Sequence, residues 1–175
     1  MSEAIAALRP ENPRHPLTRR KGGPKALNAL GTLARHPELA KAFNTFNGHV
    51  LFSSTLSPRQ RELLVLRVAS VRGSEYEWAQ HAILAGDAGL DADEVDRISV
   101  GPEAPGWSTL DGAMVRAVDE LIGAGTVSDA TWAVLAAQLD QQQLMDLVFT
   151  VGAYDILAMA FRSFDIELDD DLRRK

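Results

Sequence analysis

Residues Leu56–Leu90, LSPRQRELLVLRVASVRGSEYEWAQHAILAGDAGL, read as two helices joined at one glycine. Ser57 suits an N-cap, Pro58 the first helical position and Gln60 the third, which together make a capping box. Apolar residues then fall at Leu63, Leu64, Leu66, Val68, Ala69 and Val71, a pattern broad enough for a helix buried on most sides. Glu62 sits inside that run with only Arg61 and Arg67 as nearby charges. A carboxylate taken into such a helix needs a partner. Gly73 tolerates positive φ and ends the helix.

The second helix starts at once. Ser74, Glu77 and His81 are spaced three and four residues apart, so they share one face. Two readings stand side by side. Ser74 and Glu77 form a capping box and the Glu–His pair a surface or interface hydrogen bond, or the three face a reaction site with Glu62 as the missing partner across the tight corner. Trp78 is the aromatic residue beside them.

These residues resemble a known family. Glu62, the run Gly73-Ser74-Glu75-Tyr76-Glu77-Trp78-Ala79-Gln80-His81, then Gly89-Leu90 and Asp93-Glu94-Val95 are similar to the carboxymuconolactone decarboxylase family, which includes the alkylhydroperoxidase D-like proteins. In the peroxidase branch the positions of Ser74 and Glu77 hold a Cys-x-x-Cys pair, served by a glutamate and a histidine at the places of Glu62 and His81. This chain has no cysteine, so thiol peroxidase chemistry has no nucleophile. Glu77 and His81 stand closer to the decarboxylase branch. The resemblance spans roughly residues 56–98. It implies an all-α, compact alkylhydroperoxidase D-like bundle, a homo-oligomer (trimer or hexamer) and a site near a subunit boundary.

Working outward, Arg9, Arg14, Arg19, Arg20, Lys21, Lys25 and Arg35 face only Glu3 and Glu11, while the whole chain carries a formal charge of −6. Pro10, Pro13, Pro16 and Pro24 prevent a continuous helix, so residues 1–23 are expected to form an extended basic arm. A single all-helical domain is expected over 24–168 and a charged, solvated or frayed tail over 169–175. Helices are expected over about Pro24–Ala34, Pro37–Phe52, Asp91–Ser99, Thr109–Ala124, from Ser128, and Gln141–Phe164. Leu39, Ala42, Phe43, Phe46 and Val50 make an apolar stripe on the second of these. His49 lies on the same helix, and a lone histidine without a partner reads as structural. No stretch alternates long enough to demand a strand, so the fold class is all-α.

The acidic balance argues against nucleic acid as a partner. No continuous apolar run approaches the ~18 residues of a span, and no secretory pattern opens the chain, so a cytoplasmic protein without membrane partners is expected. His15 and His36 have no clustered ligands, and Glu77 with His81 lacks the zinc-protease spacing. No metal and no cofactor are expected.

Glu62, Glu77 and His81 can together move protons without either. The leading expectation is a cofactor-independent lyase on a small carboxylated or lactone-type substrate, with His81 as general acid/base, Glu62 as its relay partner and Glu77 orienting the imidazole. Ser74 and Trp78 are candidate substrate contacts. A carboxylate binder is still required, for which the helix start at Ser74, Arg61, Arg67 and Arg72 are candidates. The alternatives are a hydrolase or isomerase on a related small molecule, and a non-catalytic oligomeric binding protein that lost the redox pair.

Overall fold

The structure is a computed structural model that describes residues 3, 6–15 and 23–173. Eight helices follow one another in its described part: α1 Leu27–Leu33, α2 Pro37–Phe52, α3 Pro58–Arg72, α4 Glu75–Asp87, α5 Ala92–Val100, α6 Thr109–Ala124, α7 Asp129–Ala136 and α8 Gln141–Ser163. No strand occurs among the described residues. The fold is all-α.

Side-chain chemistry sets most helix starts. Ser57 with Gln60, Asp91 with Glu94 and Asp140 with Gln143 each form a complete capping box, opening α3, α5 and α8. Ser108 and Ser128 accept backbone N–H bonds at the starts of α6 and α7. Each cap satisfies a donor that the first turn leaves without an intrahelical partner. Gly73 closes α3 in the left-handed region at φ 61°, where a side chain would be strained.

α3 is the axle of the bundle. It packs against α8, α4, α6 and α5, and Leu63, Leu64, Val65, Leu66 and Val68 are fully buried. Each such side chain contributes about 1.5–3 kcal/mol of transfer free energy. Because four helices surround it, α3 has no polar side to spare, and Arg61 and Glu62 go inside with the leucines.

Four expectations change. Leu39 and Ala42 are exposed, and the buried face of α2 is instead Ala40, Asn44, Asn47, Gly48 and Val50. Small groups suit that face because the N-terminal segment lies on it: a Cβ on Gly48 would stand 2.7 Å from the Leu8 carbonyl oxygen. The described part of the arm begins with helical hydrogen bonds from Ala7 N to Glu3 O and Arg9 N to Ala6 O, then runs along its own chain, His15 N donating to Phe52 O at 2.8 Å. The rest of that expectation, residues 1, 2, 4, 5 and 16–22, lies outside the described residues. The tail is not wholly solvated: Asp169 is buried and accepts bonds from Leu27 N, Asn28 N, Tyr76 Oη and Gln80 Nε2. Finally, α8 is long and apolar enough by composition to cross a membrane, because few charges interrupt it, but half of its most apolar stretch is buried within the bundle.

Candidate active site

The α3–Gly73–α4 corner folds the two central helices side by side, and this joins residues 19 positions apart. Glu62 Oε2 lies 2.6 Å from His81 Nδ1. Its other oxygen, Oε1, accepts two bonds from Arg61, from Nε at 3.0 Å and Nη2 at 2.9 Å. Arg61 Nη1 donates onward to Leu51 O at 2.8 Å. Glu62 is fully buried and His81 is 8% exposed.

Burial alone would raise the Glu62 pKa. The charge of His81, its hydrogen bond and the Arg61 guanidinium outweigh that and hold the carboxyl below its ordinary value. An ionised carboxylate only accepts hydrogen bonds, so the hydrogen in the Glu62–His81 contact belongs to Nδ1. Nε2 is the nitrogen left for a reactant. The Tyr154 ring, from α8, meets the imidazole edge-on with centroids 4.9 Å apart. Burial, chiefly, and the Glu62 carboxylate push the Tyr154 phenol well above its ordinary pKa.

Glu77 does not orient the imidazole. His81 Nδ1 is held by Glu62, and both Glu77 oxygens are buried without a hydrogen-bond partner. Nor does Ser74 complete a capping box, for its hydroxyl makes no cap bond and is also buried without a partner. Burial pushes the Glu77 carboxyl well above its usual range, and Asp155 adds to the rise. The Ser74 hydroxyl is near enough to pull part of this back, yet the two groups fall short of hydrogen-bonding geometry. Trp78 is partly buried against the core.

The three arginines considered as carboxylate binders are all engaged. Arg61 serves Glu62, Arg67 forms a two-pronged pair with Asp119 at 2.6 and 2.8 Å, and Arg72 pairs with Asp155. His49 has a partner after all, Asp146 Oδ1 at 2.9 Å, and so belongs to a separate pair. Among the described residues no group of three potential ligands converges on a metal position. A surface groove of about 510 Å³ between α6 and α7, lined by residues that include Arg116, Glu120 and Thr131, shares no residue with the Glu62–His81 pair.

Sequence reasoning reached Glu62 and His81 through spacing. It missed the place of Tyr154, which arrives from α8 with no local signal, and the commitment of Arg61, visible only once the helix face is known.

The fold is an AhpD-like helical bundle, and it holds a buried Glu–His pair in a chain without cysteine. Residues 37–120 match the family model "Carboxymuconolactone decarboxylase family", and the chain has no cysteine. Among solved structures it is similar to an uncharacterized peroxidase-related protein from Silicibacter sp. (TM-score 0.71, 14% identity, covering 94% of this chain and 95% of that one). It is also similar to an alkylhydroperoxidase AhpD core, an uncharacterized peroxidase-related protein from Ralstonia eutropha (TM-score 0.72, 17% identity, 83% and 78% covered). A third is a debrominase in its apo form (TM-score 0.68, 12% identity, 83% and 78% covered). At these identities the likeness shows the fold. No curated protein matches the chain.

Proposed function

We propose that the protein is a cofactor-independent lyase that removes a carboxyl group from a small carboxylated or lactone-type substrate. The supporting observation is the 2.6 Å contact between the ionised Glu62 and His81 Nδ1 in a buried setting. Glu62 fixes the imidazole and its tautomer, and Nε2 delivers the proton that replaces the departing CO2. The match of residues 37–120 to the carboxymuconolactone decarboxylase family model favours this substrate class over hydrolysis or isomerisation. The chain's lack of cysteine removes the thiol route open to peroxidases of the same architecture.

The active form is a homo-oligomer in this reading. The exposed side of α8 carries Met145, Phe149, Gly152, Ile156 and Met159, spaced 4-3-4-3 and free of charge. A Cβ on Gly152 would meet nothing within this chain, so the bundle itself has no need of a glycine there. An identical helix approaching closely would need one.

The test is decarboxylation of carboxymuconolactone followed by CO2 release. Wild type is expected to turn over and His81→Asn to lose at least ~100-fold in rate, the usual worth of a general acid. Equal rates would remove His81 from the chemistry.

A further inference from the structure

The first turns of α4 hold something the proton relay does not use. Ser74 Oγ and both Glu77 oxygens are buried, at 2% and 1% residue exposure, and none has a hydrogen-bond partner. Buried polar groups are almost always paired, and each exception calls for a cause. Helix capping is not the cause, because neither group caps α4. An ion pair is not the cause either, since Arg61, Arg67 and Arg72 are spent on Glu62, Asp119 and Asp155. The two residues share the face of His81, and Tyr154 connects the places: its ring touches the imidazole, and its phenol lies within electrostatic reach of both Glu62 and Glu77.

We propose that Ser74 Oγ and the Glu77 carboxyl form a hydrogen-bonding notch for the substrate's carbonyl oxygen, the atom on which negative charge develops as CO2 departs. This rests on the lyase reading and deepens it. It narrows the substrate to one whose carboxylate-bearing carbon is conjugated with a lactone or ketone carbonyl. A buried carboxyl near Asp155, with no cation paired to it among the described residues, stays protonated, and a protonated carboxyl has an O–H to donate, as the serine has. When the C–CO2 bond breaks, its electron pair passes into the conjugated system and onto the carbonyl oxygen as an enolate. Glu77 and Ser74 donate to that oxygen. A proton from His81 Nε2 then forms the new C–H bond, the carbonyl is restored, and the imidazole recovers its proton from water. A neutral acid suits this task better than an arginine, because it does not hold the departing carboxylate in place. Binding there requires the side chains that cover these atoms to move aside.

Calorimetric titration with two inert probes tests the notch: a five-membered lactone bearing an acetate arm, and its tetrahydrofuran counterpart without the carbonyl. Wild type is expected to prefer the lactone. Ser74→Ala and Glu77→Leu should each weaken the lactone about tenfold, the worth of one buried hydrogen bond, and leave the ether unchanged. Glu77→Gln keeps a donor and should retain the preference. Equal binding of the two probes, or binding of neither, overturns the notch. A second measurement needs no ligand: the infrared difference between wild type and Glu77→Gln at neutral pH should show a carboxylic-acid band, and a carboxylate band overturns the proposal. If carboxymuconolactone is not turned over while the lactone preference follows Ser74 and Glu77, the notch stands and the lyase reading fails. If turnover survives in Ser74→Ala and Glu77→Leu but stops in His81→Asn, the notch fails and the lyase reading stands.

Discussion

Glu62 is shared between the Arg61 guanidinium and the His81 ring, and that is what makes it stable in the core. One oxygen faces the Arg61 guanidinium and the other faces His81 Nδ1. Glu62→Gln would leave Arg61 buried without its counter-charge, and breaking a buried pair in this way costs about 3–5 kcal/mol. Urea unfolding at neutral pH should show it. Glu77 pulls in the opposite direction. Burial raises its folded pKa well above the ordinary carboxyl value of 4.5, so its contribution to stability is complete below that value and is lost as pH rises towards the folded pKa. The loss amounts to about 1.4 kcal/mol per pH unit while the folded carboxyl keeps its proton. Glu77→Gln should therefore flatten the decline of wild type as pH rises above the ordinary carboxyl range, measured by denaturant midpoints at each pH. At this scale the sequence showed that Glu62, Glu77 and His81 belong to one neighbourhood, because i,i+4 spacing and a carboxylate among leucines are local signals. It did not show which carboxyl takes the imidazole. That choice depends on the rotation of α3 against α4, which no local spacing encodes.

At the scale of the elements, boundaries were legible wherever a side chain caps a helix, as at Ser57, Asp91, Ser108, Ser128 and Asp140. Ser74 obeyed the same pattern and failed, because the chain leaves α3 through Gly73 and turns straight into the core, carrying Ser74 inside. The clasp at Asp169 was equally invisible, since an acidic run near a charged terminus resembles a solvated tail. Its carboxylate ties the start of α1 to Tyr76 and Gln80 on α4, the helix that carries His81. Asp169→Ala would orphan several buried donors at once. It should cost about 3 kcal/mol, on the scale of hydrogen bonds to a charged group, and lower the thermal midpoint in calorimetry. Gly48→Ala makes a different demand. Its Cβ meets backbone at Leu8, not a flexible side-chain end, so the N-terminal segment should lift from α2, and protease cleavage near residues 6–15 should quicken.

On the scale of the whole molecule, the proposed assembly rests on the one-sided burial of α8. Its inner face fills the core through Leu147, Val151, Tyr154 and Ala158, and its outer face presents an uncharged apolar stripe on a chain of net charge −6. Gly152→Leu should raise monomer stability slightly, by about 0.8 kcal/mol of helix propensity, and dissociate the assembly. Sedimentation velocity reads both the wild-type oligomer and its loss, and a monomeric wild type would overturn that assignment. The all-α class was legible from 3.6-residue periodicity throughout. The stripe was not, because apolar residues on the buried and open sides of α8 look alike until the neighbours are in place.

The central claim is that Glu62 fixes the His81 tautomer and leaves Nε2 for chemistry. Nitrogen-15 NMR of the histidine ring in wild type and Glu62→Gln tests this most directly. The account predicts a hydrogen-bonded Nδ1–H in wild type, with Nε2 losing and gaining the proton, and loss of that fixed tautomer in the variant. A wild-type His81 that keeps its hydrogen on Nε2 with Nδ1 bare, or a spectrum that Glu62→Gln leaves unchanged, would contradict it.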